Sequence, residues 1–364
     1  MKKLVLLILT IAVMAGCVKI DFFNNIEVYY EKDVTTVMMT INYGYVVNCM
    51  KNIKYNIFCT LGVPSSNYEN ILSVKWTDTP IQDIISGNKI FKWNISGSVA
   101  KKYNLTVKAS LISTAFLVNL SDWKNALTIE KLKLYHNDLI KQYCHNASNG
   151  SANLIEPYNP MIHDIATMVK NQCKSNNTFI LARELFRWLK ENTVYKTHES
   201  GGTQRASFTL IQKSGDCDDL TFLYVSLCRA LGIPARFIKG YMVNSSRNII
   251  AHAWAEVFVD NDIGNNGWIP IECAGNISKK DKKSIESEIN QHFGIEDAAH
   301  IRVYVDDGSR ESINNSISRI GYEIFGDENS INVQSFKIVT EYKTIDEDSL
   351  VVYKDGTRKF VKNI

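Results

Sequence analysis

Residues 214–241 read SGDCDDLTFLYVSLCRALGIPARFIKGY, residues 251–259 read AHAWAEVFV and residues 267–272 read GWIPIE. In the first stretch Gly215-Asp216-Cys217-Asp218-Asp219 precedes Leu220, Leu223, Tyr224, Leu227, Cys228 and Leu231, which recur at helical spacing. Gly232 and Pro234 end that helix, as a glycine just past the last turn and a nearby proline do. Cys217 therefore stands at a helix N-terminus, where unpaired N–H groups and the positive end of the dipole favour a thiolate. Its own N–H is a natural oxyanion donor. Asp216, Asp218 and Asp219 oppose a thiolate if they lie close, because like charges disfavour it. First-turn acids also cap helices, which is the reading favoured for Asp219 and left open for Asp218.

Three strand-like segments follow. Ala235–Val243 is apolar and bounded by loops. In Ala251–Val259, His252, Trp254, Glu256 and Phe258 alternate with Ala253, Ala255, Val257 and Val259, so the two sets face opposite sides. Trp268–Glu272 is short and ends in a carboxylate. A cysteine, a histidine and an acid in this order can serve as nucleophile, base and orienting group. Spacing alone leaves a structural role open for each of them.

Working outward, Ile162, Ile165, Ala166, Val169 and Cys173 share one helix face, and Ile180, Leu181, Leu185, Trp188 and Leu189 share another. A polar stretch from Thr193 to Ser214 contains Tyr195. Cys144–Pro160 is rich in Asn, Ser, Gly and Pro and reads as a linker or an elaborate loop. Residues 21–120 are rich in Val, Thr, Tyr and Ile between turn residues, the pattern of an antiparallel β-sandwich. Residues 121–160 form a helical and loop connector, and 161–295 the region around the three motifs. Downstream, Ser278–Glu288 reads as a solvated helix, and residues 296–364 as a β-rich region with turns at Asp307-Gly308 and Asp355-Gly356.

Met1–Gly16 is MKKLVLLILTIAVMAG, two lysines before an apolar run of secretory-signal length. It ends Met14-Ala15-Gly16-Cys17, a lipobox-like junction, which implies cleavage before Cys17, lipidation of its thiol, and a mature chain anchored to a lipid bilayer on the outer face of the cell membrane. Setting aside Cys17 and Cys217, six cysteines remain, an even number in an exported chain. Cys49 with Cys59, and Cys144 with Cys173, are candidate disulfides among fifteen connectivities, and buried free thiols are the alternative.

The chain of 364 residues is 45% hydrophobic and 22% charged, which excludes a disordered chain, a collagen-like repeat and a coiled coil. Its net charge of +3, with no basic stripe, gives no ground for a nucleic-acid partner. There is no glycine-rich phosphate loop. His136, His145, His163, His198, His292 and His300 are scattered without ligand spacing, each most simply solvated or hydrogen-bonded, so no metal and no cofactor are expected.

The three quoted segments resemble the transglutaminase-like superfamily in order and spacing over roughly residues 180–275. The resemblance implies an α+β fold with a papain-like core, and carries the nucleophile onto Cys217, the base onto His252 and the orienting acid onto Glu272. In the family this acid is usually Asp, commonly followed by Pro; here it is Glu followed by Cys273. Tyr195 is a candidate second oxyanion donor and Asp218 a candidate supporting residue. The function this implies is an exported thiol-dependent acyl-transfer enzyme acting on a carboxamide or peptide bond of a protein or peptide substrate, with hydrolysis favoured over cross-linking. The alternative is a non-catalytic surface protein that grips a peptide or glycan in the same cleft.

Overall fold

The computed structural model describes residues 26–65, 69–150, 152–198, 202–277, 281–316 and 318–362. The expected leader, residues 1–16, and Cys17 lie outside them. In chain order the strands β1 (Ile26–Cys49), β2 (Lys54–Gly62), β3 (Asn70–Trp76), β4 (Ile81–Ile85), β5 (Asn88–Gly97) and β6 (Lys101–Thr114) come first. Helices α1 (Ile129–Tyr135), α2 (Asn137–Tyr143), α3 (Pro160–Cys173) and α4 (Thr178–Asn192) follow. Then come β7 (Val194–Tyr195), α5 (Ala206–Gln212), β8 (Ser214–Gly215), α6 (Cys217–Ala230), β9 (Ala235–Val243), β10 (Ile249–Phe258) and β11 (Trp268–Ile271). The chain finishes with α7 (Lys282–His292), β12 (His300–Val305), β13 (Arg319–Phe325), β14 (Ile331–Tyr353) and β15 (Arg358–Val361).

Alternation builds the sandwich. Tyr55, Ile57, Cys59 and Leu61 of β2 point inward, and so do Tyr103, Leu105, Val107, Ala109 and Leu111 of β6. They meet Val37, Met39, Ile41, Tyr43 and Val47 of β1 in one apolar cluster between two antiparallel sheets. One sheet runs β15-β14-β1-β6-β3 and the other β13-β2-β5-β4. The core domain has a four-stranded antiparallel sheet, β11-β10-β9-β12, with α6 packed on one face. Every residue from Asp218 to Arg229 of α6 is buried, so it is a central helix rather than a surface one. Ala253, Ala255 and Val257 of β10, and Val259 just past its end, join its cluster. The fold is α+β, a central helix on an antiparallel sheet, with β-rich flanks.

The C-terminal residues are shared out. β12 extends the core sheet beside β9, β13 pairs with β2, and β14 runs antiparallel to β1 from Tyr353 opposite Ile26 to Ile331 opposite Cys49.

Three expectations are corrected. Cys49, Cys59, Cys144 and Cys173 are all free, as are the other described cysteines; Cys49 on β1 and Cys59 on β2 stand in different sheets. The helix read as solvated begins at Lys282 and buries Ile285, Glu288, Ile289 and Asn290, its apolar pair being anchored in the core cluster. The stretch 144–160 is no loose linker: it holds a short hairpin, Ala147–Asn149 against Ala152–Ile155, with Leu154 and Ile155 buried.

Candidate active site

A capping box opens α6. The Asp216 carboxylate accepts the N–H groups of Asp218 and Asp219 at 3.1 and 3.3 Å, and the Asp219 carboxylate accepts that of Asp216 at 3.1 Å. Gly215 is required here, since a Cβ on it would sit 2.5 Å from the Asp219 side chain. Asp219 is fully buried, and it also accepts the N–H of Gln204 at 2.6 Å and meets His198 Nε2 at 2.5 Å. Its role is thus structural: it caps the helix and ties the loop before α5 to it.

β7 pairs parallel with β8, Tyr195 opposite Gly215, which brings Tyr195 alongside the helix start. Asn276 clamps the Tyr195 backbone, accepting its N–H at 2.7 Å and donating to its carbonyl at 2.9 Å. Burial first, then the negative groups of Cys217, Asp216 and Glu272, raise the phenol above its ordinary pKa. The Tyr195 main-chain donor is therefore spent on Asn276, and only its hydroxyl can serve a reacting group.

Cys217 is the first residue of α6 and lies against the backbone of Ala253, the residue after His252. Burial, then the carboxylates of Asp218 and Asp216, push the thiol up to about 12, against smaller opposing effects of Lys239 and the Ala253 N–H. This reverses the thiolate expected from the helix terminus alone: a desolvated thiol between two acids rests protonated. Asp218 is paired with Lys239, Oδ2 to Nζ at 2.6 Å, and its Oδ1 has no partner among the described residues.

His252 Nε2 donates to Glu272 Oε2 at 2.7 Å. That bond fixes the tautomer and leaves Nδ1 to accept a proton. The thiol and this imidazole are not hydrogen-bonded to each other among the described residues. The longer Glu side chain reaches further than its role as orienting acid requires. Oε2 also accepts from His300 Nε2 at 3.0 Å, and Oε1 accepts the N–H of Ala274 at 2.7 Å. Burial alone would raise the Glu272 pKa; the charges and hydrogen bonds of His252 and His300 outweigh it and hold the carboxyl well below the usual range.

Residues 166–273 match the family model described as the transglutaminase-like superfamily. The chain carries a transglutaminase-like domain. A protein of Cytophaga hutchinsonii described as a candidate cysteine protease shares the fold, with a TM-score of 0.55 at 16% identity over 91% of this chain and 99% of that one. The periplasmic domain of TgpA from Pseudomonas aeruginosa aligns with a TM-score of 0.32 at 13% identity, over 71% of this chain and 93% of that one. Red sea bream transglutaminase aligns with a TM-score of 0.32 at 11% identity, over 72% and 58% respectively. No curated protein matches the sequence.

Within the transglutaminase-like domain the structure gathers Cys217, His252, Glu272, Tyr195 and Asp218 at one end of α6. Trp254 stacks along His252 at 6.0 Å. Glu256, on the same strand face, is a structural group: it is buried and accepts from Arg236 at 2.7 Å and from Arg302 at 2.7 Å. A cavity of about 200 Å³ opens next to His252's neighbour Ala251, lined also by Tyr43, Lys239, Tyr241, Phe336 and Lys337.

Sequence reasoning misses His300. Its surroundings in the chain read only as those of a solvated or hydrogen-bonded histidine; 4% of it is exposed and both its ring nitrogens meet carboxylates, one of them the acid of the site. It lies beyond the domain's matched residues, and only the pairing of β12 with β9 carries it to the site. The spacing Asp297-x-x-His300 is the one local signal. The donor atoms of His252, Glu272 and His300 lie within 4.8 Å of one another, as do those of His198, Asp216 and Asp219, and hydrogen bonds within each cluster use them.

Proposed function

We propose that this chain is an exported, thiol-dependent acyl-transfer enzyme that acts on a carboxamide or peptide bond, with water as the favoured acceptor. The observation that carries the reading is the 2.7 Å bond from His252 Nε2 to Glu272 Oε2, set beside a cysteine at a helix N-terminus. Cys217 Sγ attacks the carbonyl carbon as its proton passes to His252 Nδ1. The Cys217 N–H, with the Tyr195 hydroxyl, stabilises the oxyanion. His252 then protonates the departing amine, leaving a thioester on Cys217. A water molecule, deprotonated by His252, attacks that thioester, and the acid and the thiol are released. A thiol that rests neutral fits this course, in which deprotonation accompanies attack.

Hydrolysis is favoured because water is always at hand, whereas an amine acceptor has to be bound and held beside the thioester. The candidate cysteine protease with the same fold is consistent with a peptide substrate. We further propose that Met1–Gly16 exports the chain and that Cys17 anchors it in a lipid bilayer.

The test is a degenerate peptide mixture incubated with the wild type and Cys217→Ala, read by mass spectrometry. The expected result is cleavage or amide hydrolysis by the wild type and none by the variant. Unchanged peptides that bind both proteins equally would instead support the non-catalytic reading. Fatty-acid labelling lost in Cys17→Ser checks the anchor.

A further inference from the structure

Both ring nitrogens of His300 point at carboxylate oxygens. Nδ1 lies 2.6 Å from Asp297 Oδ1 and Nε2 lies 3.0 Å from Glu272 Oε2. A carboxylate only accepts, so each nitrogen must carry a proton, and a ring with two N–H groups is an imidazolium. Glu272 Oε2 is at the same time the acceptor for His252 Nε2. The hydrogen-bonded order is Asp297, His300, Glu272, His252: acid, imidazole, acid, imidazole.

We propose that His300 is a positioning residue for the base: a fixed imidazolium that shares the oxygen of Glu272 with His252 and so holds the acid that orients His252. This rests on His252 acting as the base and adds how its orienting acid is held. The physical reason is direct. A carboxylate that serves one imidazole alone can turn about its own side-chain bonds. When the same oxygen also meets a second ring, itself tied to Asp297, the carboxylate is fixed from two sides.

The fold is built to permit the sharing. His252 is on β10 and His300 on β12, with β9 between them. Gly240 of β9 lies opposite His252 and Met242 opposite His300, and the two imidazole centroids lie 5.2 Å apart. A Cβ at Gly240 would collide with the Ile301 carbonyl and touch the Trp254 ring. Trp254 closes the network from one side, its ring edge-on to His300 at 4.7 Å.

Other charged groups face His300 as well. Glu69, beside β3, feels its charge while accepting the Arg302 N–H at 3.0 Å. Glu296 is taken up by Arg302 and Trp254. On the far side a cavity of about 120 Å³ is lined by Glu31, Asp33, His292 and Asp348 together with His300. The surrounding charge is mostly negative and favours the cation. Burial would lower the His300 pKa, and Asp297 and Glu272 outweigh it, so the ring is held well above the ordinary histidine range.

The experiment is histidine-selective ¹⁵N NMR of the full chain, with His300 assigned by loss of its signals in His300→Gln. His300 should show two protonated nitrogens from about pH 6 to 8.5, the range in which a free histidine loses its charge. In His300→Gln, which keeps a neutral donor to Glu272, the His252 Nε2–H proton signal should shift, because its acceptor oxygen is no longer shared with a cation. Asp297→Asn, which releases the far side of His300, should shift the same signal. A neutral tautomer of His300 at neutral pH, or an unmoved His252 Nε2–H signal in both variants, overturns the proposal. These readouts need no turnover, so they separate this proposal from the enzymatic reading: a chain that processes no peptide can still show the coupled rings.

Discussion

At the scale of single residues, Glu272 is where this chain departs from the acid its family resemblance implies, and the structure gives the departure a use. The carboxylate must reach His252, His300 and the Ala274 N–H together. An aspartate is one methylene shorter and cannot span that set. Glu272→Asp is therefore expected to lower turnover by about 100-fold or more, as loss of an orienting acid does, although Asp is the family's usual residue. Activity near the wild-type level would show that the second imidazole is dispensable. Asp218 supports a prediction of opposite sign. Its negative charge raises the thiol pKa while it binds Lys239. Asp218→Asn removes that charge and frees the lysine to act on sulfur, so the thiol pKa should fall. Alkylation by iodoacetamide in mildly alkaline buffer should then speed up, by about tenfold if the thiol pKa drops by about 1. A rate no faster than wild type would show that Asp218 does not act on the thiol. The three site residues are legible in the sequence because each sits in a local pattern: a cysteine before a helical run, a histidine in an alternating strand, an acid at a strand end. His300 has no such pattern, since its partners come from other elements.

Elements are readable in proportion to how local their causes are. The apolar spacing of Leu220 to Leu231 specifies α6, and alternation specifies β10, whichever partners they find. Helix α7 misleads because its charges dominate the composition, while two isoleucines and one buried ion pair decide its placement. In that pair Glu288 Oε1 meets Lys190 Nζ at 2.8 Å, joining α7 to α4, with side chains only 11% and 3% exposed. Burial opposes ionisation of Glu288, but His292 and Lys190 outweigh it and lower its pKa to about 2. A carboxyl depressed on folding contributes stability that is complete above its unfolded value near 4.5 and is lost as pH falls through 2. Urea titrations of wild type and Glu288→Gln should differ by about 3 kcal/mol near neutral pH and converge by about pH 2. A gap independent of pH would mean that the ion pair does not set the acid stability of this helix junction.

For the whole molecule, what the sequence hides is long-range pairing. Composition and turn residues mark the C-terminal stretch as β-rich, but nothing local says that the partner of β14 is β1, at the other end of the chain. Loop-closure cost grows slowly with separation, so distance in the chain does not weaken such a pairing once it forms. The consequence is that sandwich and core are tied by the same C-terminal residues. Arg358, at the start of β15, is 1% exposed. Its guanidinium donates to the carbonyls of Asn290 and Phe293, each at 2.9 Å, at the end of α7, and to that of Val118, in the segment after β6. Its neighbours in β14 and β1 belong to the sandwich. Arg358→Met keeps the aliphatic stem and strands three carbonyls, a loss on the order of 3 kcal/mol when buried acceptors go unpaired. Because the anchor joins both units, thermal unfolding followed by near-ultraviolet circular dichroism, with hydrogen exchange of β1 and of α6 as separate probes, should show both regions melting earlier by the same amount. If β1 loosens while α6 keeps its wild-type protection, the two units are independent and Arg358 is only a local plug.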